Sequence, residues 1–470
     1  MSVLLNQNQN YLASFGPVFR SSAIFYIPKN TLTTITVSNY WDFKNNLKIG
    51  LLFSVRDMNG RLIERSERYF NDSLVINVSD WPVAEGSVEI EAFGNCNLRI
   101  PYAAVMGVYE TEKSVSMVHS YSRNHSLIEL EDKNSLTLGR ESCWTIRTQA
   151  NIRNFAVFHN GHVGVRSQTC VFSLTSVDSR EKTIHFEMPD LRPFQTYKFE
   201  IIEIFPDYKT WLAGSDGWGT VHFENHTAFT RLLLVWEDVE TKEIQVTHSN
   251  FDYSEIQTNL IEANKPAIMK WPSIVSKSSL SRVIVYPKFS KGRYIISSPM
   301  GVIETDTGLF INVSKISALD FRVANTESIP SRIVTGFFVN LGPNVLPLEC
   351  SLGIVHEKRP AKRFHWAVVS RRFQSQLHLN AYPEFYEVPD NLFIVFRLYS
   401  PSTTAVAERR IELKRIDDAG DCINVFDLFE SSGDLLGGDF CYVSMFSNFG
   451  GWFMYSSMKK GDSMTIEHSF

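Results

Sequence analysis

Three stretches of the chain end in the same way: Ser114–Tyr121 reads SVSMVHSY, Glu243–Phe251 reads EIQVTHSNF, and Met464–Phe470 reads MTIEHSF. Each alternates apolar and polar residues and delivers a His-Ser pair followed by an aromatic residue, directly or one position later. Alternation over a short run is typical of a β-strand with one buried face. The recurrence predicts that the chain is built from related β units, each closing with the same kind of hairpin.

Strand signals recur along the whole chain, whereas helical periodicity is almost absent. Short apolar runs such as Lys48–Val55, Phe155–Phe158 and Arg231–Trp236 are separated by turn residues, a spacing typical of sandwiches and barrels. The only helix candidates are short, at Ser254–Ala263 and Ile423–Phe429. We therefore predict an all-β fold of tandem antiparallel β-sandwich or jelly-roll-like units with few short helices.

The length of the chain argues against a single hydrophobic core. At 470 residues it is long enough for about three domains. Boundaries after the charged stretch Glu129–Lys133 and within Asn259–Pro266 give units at 1–133, 134–262 and 263–470. The third and longest is either one expanded sandwich with inserted loops or one and a half units.

Composition limits the partners and the compartment. A net charge of −5 and a pI near 6.2 give no general attraction to nucleic acid or to anionic membranes. The N-terminus lacks the features of a signal peptide, and no apolar run is long enough for a spanning helix. Scattered cysteines without a Cys-x-x-Cys pair predict reduced thiols in a cytoplasmic protein. They are Cys96, Cys143, Cys170, Cys350, Cys422 and Cys441.

The repeated histidines form the first candidate site. Because side chains alternate across a strand, His119, His248 and His468 each continue the apolar row of their run and should point inward at a strand end. The residue before each histidine, such as Glu467, should lie on the opposite face, which tolerates charge.

Two interpretations of these histidines stay open. In the structural one, each inward imidazole hydrogen-bonds loop carbonyls at the boundary of its unit, as a buried polar group must. In the functional one, His119, His248 and His468 converge, and three neutral imidazoles bind one metal ion with a fourth position for water or substrate. The separation of the three rings distinguishes the two.

The segment Trp211–Trp218 (WLAGSDGW) is a candidate carbohydrate site. Its Gly-Ser-Asp-Gly centre predicts a loop, and loops lie at the surface. Exposed aromatic rings beside a carboxylate suit sugars, which stack on them through an apolar face. We therefore predict Trp211, Asp216 and Trp218 as binding residues, with burial of both tryptophans as the alternative.

The segment Cys350–Trp366 carries the densest positive charge of the chain. His356, Arg359, Arg363 and His365 lie around Pro360, which predicts a loop or hairpin tip. Guanidinium and imidazole groups there suit phosphate, sulfate or carboxylate. The alternative is a solvated surface turn.

A weaker ligand pair is His159 with His162, in a predicted hairpin turn centred on Asn160-Gly161. The alternative there is a solvated turn.

Common catalytic motifs are absent from the sequence: it has no phosphate-binding glycine loop, nucleophile elbow, His-Glu-x-x-His or calcium loop. We predict a non-catalytic binding or structural β-repeat protein that recognises carbohydrate, another polar polymer or an anionic small molecule. The alternative is a metal-dependent enzyme that uses His119, His248 and His468, or the histidines around His159. The sequence identifies no cofactor and leaves catalysis and the oligomeric state open, since fold alone does not imply function.

Overall fold

The structure is a computed structural model of the chain. The structural description covers residues 19–45, 47–68, 73–94, 104–119, 123–125, 136–226, 231–251, 260–261, 267–277, 282–286, 294–298, 301–305, 309–313, 318–323, 329–330, 334–342, 345–351, 360–401, 406–420, 422–429 and 439–469.

The all-β prediction is confirmed. The described residues form nine antiparallel sheets, of which two have five strands, six have four and one has two. Helices are short, and none among the described residues is long and apolar enough to cross a membrane. They are α1 (Tyr40–Asn45), α2 (Ile201–Ile204), α3 (Tyr208–Trp211), α4 (Ser273–Lys277) and α5 (Val425–Leu428), with 3₁₀ turns at Val78–Asp80 and Ile416–Ala419.

Sandwich 1 consists of the sheets β4-β3-β6-β1-β9 and β5-β2-β7-β8. Apolar residues from both sheets, such as Phe25, Phe53, Ile35 and Val37, share one core. Its strands are β1 (Phe19–Ile27), β2 (Leu32–Ser38), β3 (Gly50–Asp57), β4 (Leu62–Arg68), β5 (Ser73–Asn77), β6 (Gly86–Gly94), β7 (Val105–Glu110), β8 (Val115–His119) and β9 (Arg123–His125).

Sandwich 2 consists of the sheets β13-β12-β15-β10-β18 and β14-β11-β16-β17. Phe158, Phe172, Leu234 and Trp236 lie in its core. Its strands are β10 (Leu136–Ile146), β11 (Ile152–His159), β12 (Gln168–Ser176), β13 (Glu181–Met188), β14 (Thr196–Glu200), β15 (Gly217–His226), β16 (Leu233–Asp238), β17 (Ile244–His248) and β18 (Asn250–Phe251).

Sandwich 3 consists of the sheets β20-β25-β22-β23 and β24-β21-β27-β28, and a two-stranded β19-β26 sheet accompanies them. Its strands are β19 (Leu260–Ile261), β20 (Ala267–Lys270), β21 (Arg282–Tyr286), β22 (Tyr294–Ser298), β23 (Gly301–Thr305), β24 (Leu309–Asn312), β25 (Ala318–Val323), β26 (Ile329–Pro330), β27 (Val334–Val339) and β28 (Leu348–Ser351).

Sandwich 4 consists of the sheets β29-β34-β31-β32 and β33-β30-β35-β36. Its strands are β29 (Phe364–Ser370), β30 (Gln374–Ala381), β31 (Leu392–Tyr399), β32 (Val406–Leu413), β33 (Ile423–Asn424), β34 (Phe440–Ser447), β35 (Trp452–Lys460) and β36 (Ser463–Ser469). Of the two helix candidates, Ile423–Phe429 contains β33 and α5, and Ser254–Ala263 lies mostly outside the described residues.

The four sandwiches share one strand order. In each, the second sheet ends in β8, β17, β28 or β36, and that edge strand pairs with the strand that precedes it in the chain. The region 263–470, which the sequence assigned to one larger unit, thus contains two pairs of sheets. The two proposed domain boundaries stay a prediction.

The closing hairpins form where the sequence supplies turn residues. Between β16 and β17, Asp238 Oδ1 accepts hydrogen bonds from the N–H groups of Glu240 and Thr241 at 2.9 and 3.0 Å, an Asx-type turn. Between β35 and β36, Gly461 adopts a φ of 58°, which glycine reaches without steric cost. Each turn aligns the strand that carries a histidine with its partner.

Two interfaces join sandwich 1 to its neighbours. Phe155 and Val235 of sandwich 2 belong to the hydrophobic cluster of sandwich 1, and the Phe155 ring meets Tyr26 edge-on. On the side of sandwich 4, the Tyr442 hydroxyl lies 3.0 Å from Thr36 Oγ1 and donates to Ala104 O at 3.2 Å. Sandwich 1 therefore contacts both the second and the fourth sandwich.

The remaining interfaces complete a ring. Arg147 of sandwich 2 donates to the carbonyl of Pro347, just before β28, at 3.0 Å. Tyr455 of sandwich 4 donates to the carbonyl of Lys270 in sandwich 3 at 2.9 Å, and Ile466 of β36 packs into the cluster of sandwich 3. The sandwiches therefore contact one another in the closed order 1-2-3-4-1.

We predict that Ile466→Ala lowers the free energy of unfolding by about 2–5 kcal/mol, because it leaves a cavity between sandwiches 3 and 4. Val302→Ala on edge strand β23, where the side chain is 69% exposed, should change it by less than about 0.5 kcal/mol. Chemical denaturation of both variants measures the difference. Equal denaturation midpoints would contradict the packing of β36 against sandwich 3.

Candidate functional site

The three strands that carry the repeated histidines meet at the centre of the ring. β8 contacts both β17 and β36. Ser116 Oγ accepts a hydrogen bond from the Val246 N–H at 2.7 Å, and Thr465 Oγ1 accepts one from the Met117 N–H at 3.0 Å. These contacts place the three strands side by side, with their histidines next to one another.

The three imidazoles converge. The ring centroid of His119 lies 4.3 Å from that of His248 and 4.8 Å from that of His468, and the last two are 5.7 Å apart. Together with Glu467 they offer four ligand atoms that all lie within 4.8 Å of one another. We call these four residues, with Arg231 beside them, the central cluster.

Glu467 is the member of the central cluster that the sequence placed wrongly. It was expected on a face that tolerates charge, but it is 3% exposed. Its Oε1 lies 3.1 Å from His119 Nδ1, 3.5 Å from His468 Nε2 and 3.9 Å from His248 Nε2. The reason is that every residue of β36 is buried, since neighbouring sandwiches cover the strand on both faces.

Arg231 determines the tautomer of His119. Its Nη1 lies 2.8 Å from His119 Nε2, and because a guanidinium only donates, Nε2 must accept. The neutral ring then carries its hydrogen on Nδ1, the atom that faces Glu467 Oε1. The guanidinium of Arg231 and the carboxyl group of Glu467 therefore lie next to the two different nitrogens of the His119 ring.

His248 has the opposite arrangement. Its Nδ1 lies 3.0 Å from the carbonyl oxygen of Ser249, which only accepts, so Nδ1 carries the hydrogen. The lone pair of Nε2 therefore points into the central cluster, where this nitrogen has no hydrogen-bond partner. The nearest atom of Glu467 is 3.9 Å away, too far for a hydrogen bond.

Burial controls the protonation of the central cluster. Burial, and then the charge of Arg231, hold the pKa values of His119 and His248 well below their ordinary range. Burial lowers the pKa of His468 to about 3, although the charge of Glu467 opposes this. Burial raises the pKa of Glu467 to about 7 against the opposing charge of His468. The imidazoles are therefore neutral, as metal ligands must be.

A fourth strand, β28, also reaches the centre, where it contacts β17 and β36. Its Glu349-Cys350-Ser351 matches Glu467-His468-Ser469 with cysteine in place of histidine. Burial, and then the charge of Glu467, raise the pKa of the Cys350 thiol. Sequence reasoning missed this counterpart, and the Glu-x-Ser pattern was the signal that identifies it.

The three predicted carbohydrate-binding residues are buried or half-buried. Trp218 is 2% exposed in β15, an inner strand of its sheet, so the expectation that it is exposed is wrong. Asp216 is also buried and pairs with Arg282 at 3.0 Å. Trp211 ends α3 and packs half-buried near Phe205. The loop residues Ala213–Ser215 are themselves exposed, whereas the residues that follow lead into β15 and are buried.

The described residues of the predicted anion-binding segment differ in burial. Arg363 is exposed. His365 is buried in β29, where burial, and then the charge of Lys362, lower its pKa to about 3. The expectation that His365 lies in a surface turn is therefore wrong. His356 and Arg359 lie outside the described residues.

His159 and Asn160 do not form a solvated turn. Both are buried, and His159 Nδ1 lies 3.1 Å from Thr196 Oγ1. Asn160 Nδ2 donates to the carbonyls of Val163 and Arg192 at 2.8 Å. The pair therefore ties a loop to its own sandwich.

The cysteine side chains that the structure describes carry free thiols, and three of these four are buried. They are Cys170, Cys350, Cys422 and Cys441. The cytoplasmic location stays a prediction.

Comparison of the chain with protein-family models and with curated proteins finds no match. The assignment of function therefore depends on the geometry of the central cluster.

We predict that His159 contributes to acid lability. Burial lowers its pKa to about 3 from 6.5, so between these values the unfolded chain binds a proton that the folded one does not. Stability should therefore fall as the pH decreases from 6.5 to 3, by about 1.4 kcal/mol per pH unit for this group. Urea denaturation at several pH values gives the change in the free energy of unfolding with pH. In His159→Gln, this slope should correspond to one fewer proton taken up on unfolding. A slope equal to that of wild type would contradict the assignment, and His185→Gln, at an exposed ring on β13, controls for loss of an imidazole.

Proposed function

We propose that this protein is a non-catalytic structural or binding protein in which the central cluster fastens three of its four β-sandwiches, the first, second and fourth, at the centre of a closed ring. The observation that carries the proposal is the burial of three imidazoles, a carboxyl group and a guanidinium at the point where the sandwiches meet. Such groups are costly to bury unless they are paired. Their position favours a role in specifying which edges meet.

The composition of the central cluster supports a fastening role. His119 comes from sandwich 1, Arg231 and His248 from sandwich 2, and Glu467 and His468 from sandwich 4. The contacts of Arg231 with His119 and of His119 with Glu467 each cross an interface. Loss of one partner would leave a buried polar group of another sandwich unpaired.

The same burial weighs against the metal-dependent enzyme that the sequence also allowed. A catalytic metal site keeps one position open to water or substrate, whereas the four ligand residues here are all buried. Support for carbohydrate binding is weaker than the sequence suggested, because Asp216 and Trp218 are buried. The proposal therefore rests on the structural role.

A double-mutant cycle of His119→Ala and Glu467→Ala tests the fastening role. With chelator present, we expect a coupling of about 1–3 kcal/mol in the free energy of unfolding, because the two groups meet in a buried network. Chemical denaturation followed by intrinsic fluorescence measures it. The matched control is the exposed pair Arg397–Glu408, at 2.7 Å, for which about 0.2–1 kcal/mol is expected.

A coupling no larger than that of the control pair would overturn the fastening role. So would single variants that unfold at the wild-type denaturant concentration. If either variant is too unstable to purify, Glu467→Gln keeps an oxygen beside His119 Nδ1 and should retain part of the coupling.

A further inference from the structure

The geometry points to a divalent transition-metal site in the central cluster, with His119 Nδ1, His248 Nε2, His468 Nε2 and Glu467 Oε1 as ligands. This inference goes beyond the fastening role, which needs no ion. The site would be structural, because its protein ligands complete a four-coordinate shell.

The strongest evidence is the lone pair of His248 Nε2. Its ring is 1% exposed, its tautomer is determined by the carbonyl of Ser249, and the nitrogen has no hydrogen-bond partner. The group that Nε2 faces is the carboxyl of Glu467, another acceptor when it is ionised. A cation between the two would satisfy both. A backbone carbonyl behind a ligating imidazole is also the usual support for a metal-bound histidine.

The dimensions of the central cluster suit a small ion. Ligand bonds of about 2.1 Å in a tetrahedron place the ligand atoms about 3.4 Å apart. Here the distances from Glu467 Oε1 to the three imidazole nitrogens are 3.1, 3.5 and 3.9 Å, and the four residues each offer one ligand atom within 4.8 Å of the others. Closure around an ion therefore needs side-chain movements of about 1 Å.

The ligand types select the class of ion. Three imidazoles and one carboxylate suit Zn²⁺ and, in its place, Co²⁺. Mg²⁺ and Ca²⁺ prefer oxygen ligands, and among the four ligand residues only Glu467 offers oxygen. We therefore expect Zn²⁺ and Co²⁺ to bind, with little affinity for Mg²⁺.

Arg231 opposes metal binding in a specific way. When Nδ1 of His119 binds the ion, the hydrogen of the neutral ring must move to Nε2. There it faces Arg231 Nη1, a donor at 2.8 Å, so two donors meet. Either the Arg231 side chain moves away, or the bond between His119 Nδ1 and the ion is weakened. Arg231 thus holds His119 in the metal-free tautomer.

This opposition gives a test in which a mutation strengthens binding. In Arg231→Gln the side-chain amide oxygen can accept the His119 Nε2–H, and a positive charge leaves the site. We expect the chelator-treated Arg231→Gln protein to bind one Zn²⁺ per chain about 10-fold more tightly than wild type. Calorimetric titration with Zn²⁺ alone measures both affinities, and circular dichroism checks that the variant is folded.

Loss of a ligand should have the opposite effect. His248→Ala and Glu467→Gln should each weaken Zn²⁺ binding by about 100-fold or more. The matched control His159→Gln removes a buried imidazole outside the central cluster and should leave Zn²⁺ binding unchanged. In the wild type, Zn²⁺ should raise the melting temperature, and chelator should reverse the rise.

Three results would overturn the site as assigned. The first is a folded Arg231→Gln protein that binds no Zn²⁺ at millimolar concentration. The second is equal affinity in wild type, His248→Ala and Glu467→Gln, which would place the ion elsewhere. The third is a sulfur-to-metal charge-transfer band in the Co²⁺ protein that disappears in Cys350→Ser, which would put the thiolate in the place of Glu467. The coupling of His119 with Glu467 is measured in chelator, so it tests the fastening role separately.

Discussion

The structure depends on how the exposed edge of each sandwich is covered. An edge strand presents unpaired N–H and C=O groups, and a protein must pair or cover them. Here β8, β17, β28 and β36 are the edges of their sheets, and they cover one another at the centre of the ring. Side-chain oxygens take the place of a neighbouring strand as hydrogen-bond acceptors. Ser116 Oγ accepts from the Val246 N–H, and Thr465 Oγ1 accepts from the Met117 N–H. A ring is the arrangement that covers all four edges together.

This constraint explains why polar residues collect where a core would be expected. Strands covered on both faces leave no solvent-facing side, so alternate polar residues of β8, β17 and β36 are buried with the apolar ones. A buried donor or acceptor without a partner costs about 1–3 kcal/mol. Polar side chains from different sandwiches must therefore match, and a mismatched arrangement of edges would leave several unpaired. The central cluster thus favours one order of sandwiches over others.

Local patterns predicted the elements but not how the edges assemble. The His-Ser stretches were recognised as closing hairpins because alternation and turn residues are local signals, and the all-β class followed from them. Glu467 was expected on a solvent-facing side because an alternating strand usually has one. In β36 both sides are buried by neighbours that are remote in sequence. Arg231 was missed for the same reason, since it lies 112 residues from His119. Trp218 was expected at the surface because the glycine-rich sequence before it predicts a loop. The residue belongs instead to β15, an inner strand that begins at Gly217.

The ring is not symmetric at its centre, and the differences have chemical consequences. Three edge strands carry a histidine at their last or next-to-last residue, whereas β28 carries Cys350 at that place. The Cys350 thiol stays protonated because burial and the nearby Glu467 both disfavour the thiolate. A fourth imidazole there would add a ring to a site that already has four ligand groups. A neutral thiol instead packs as a small apolar group in the cluster of sandwich 3. The central cluster thus contains three imidazoles and one carboxyl group, that of Glu467, together with the guanidinium of Arg231. The cation that we propose would compete with Arg231 for His119, because the guanidinium favours the tautomer in which Nδ1 of that ring carries the hydrogen.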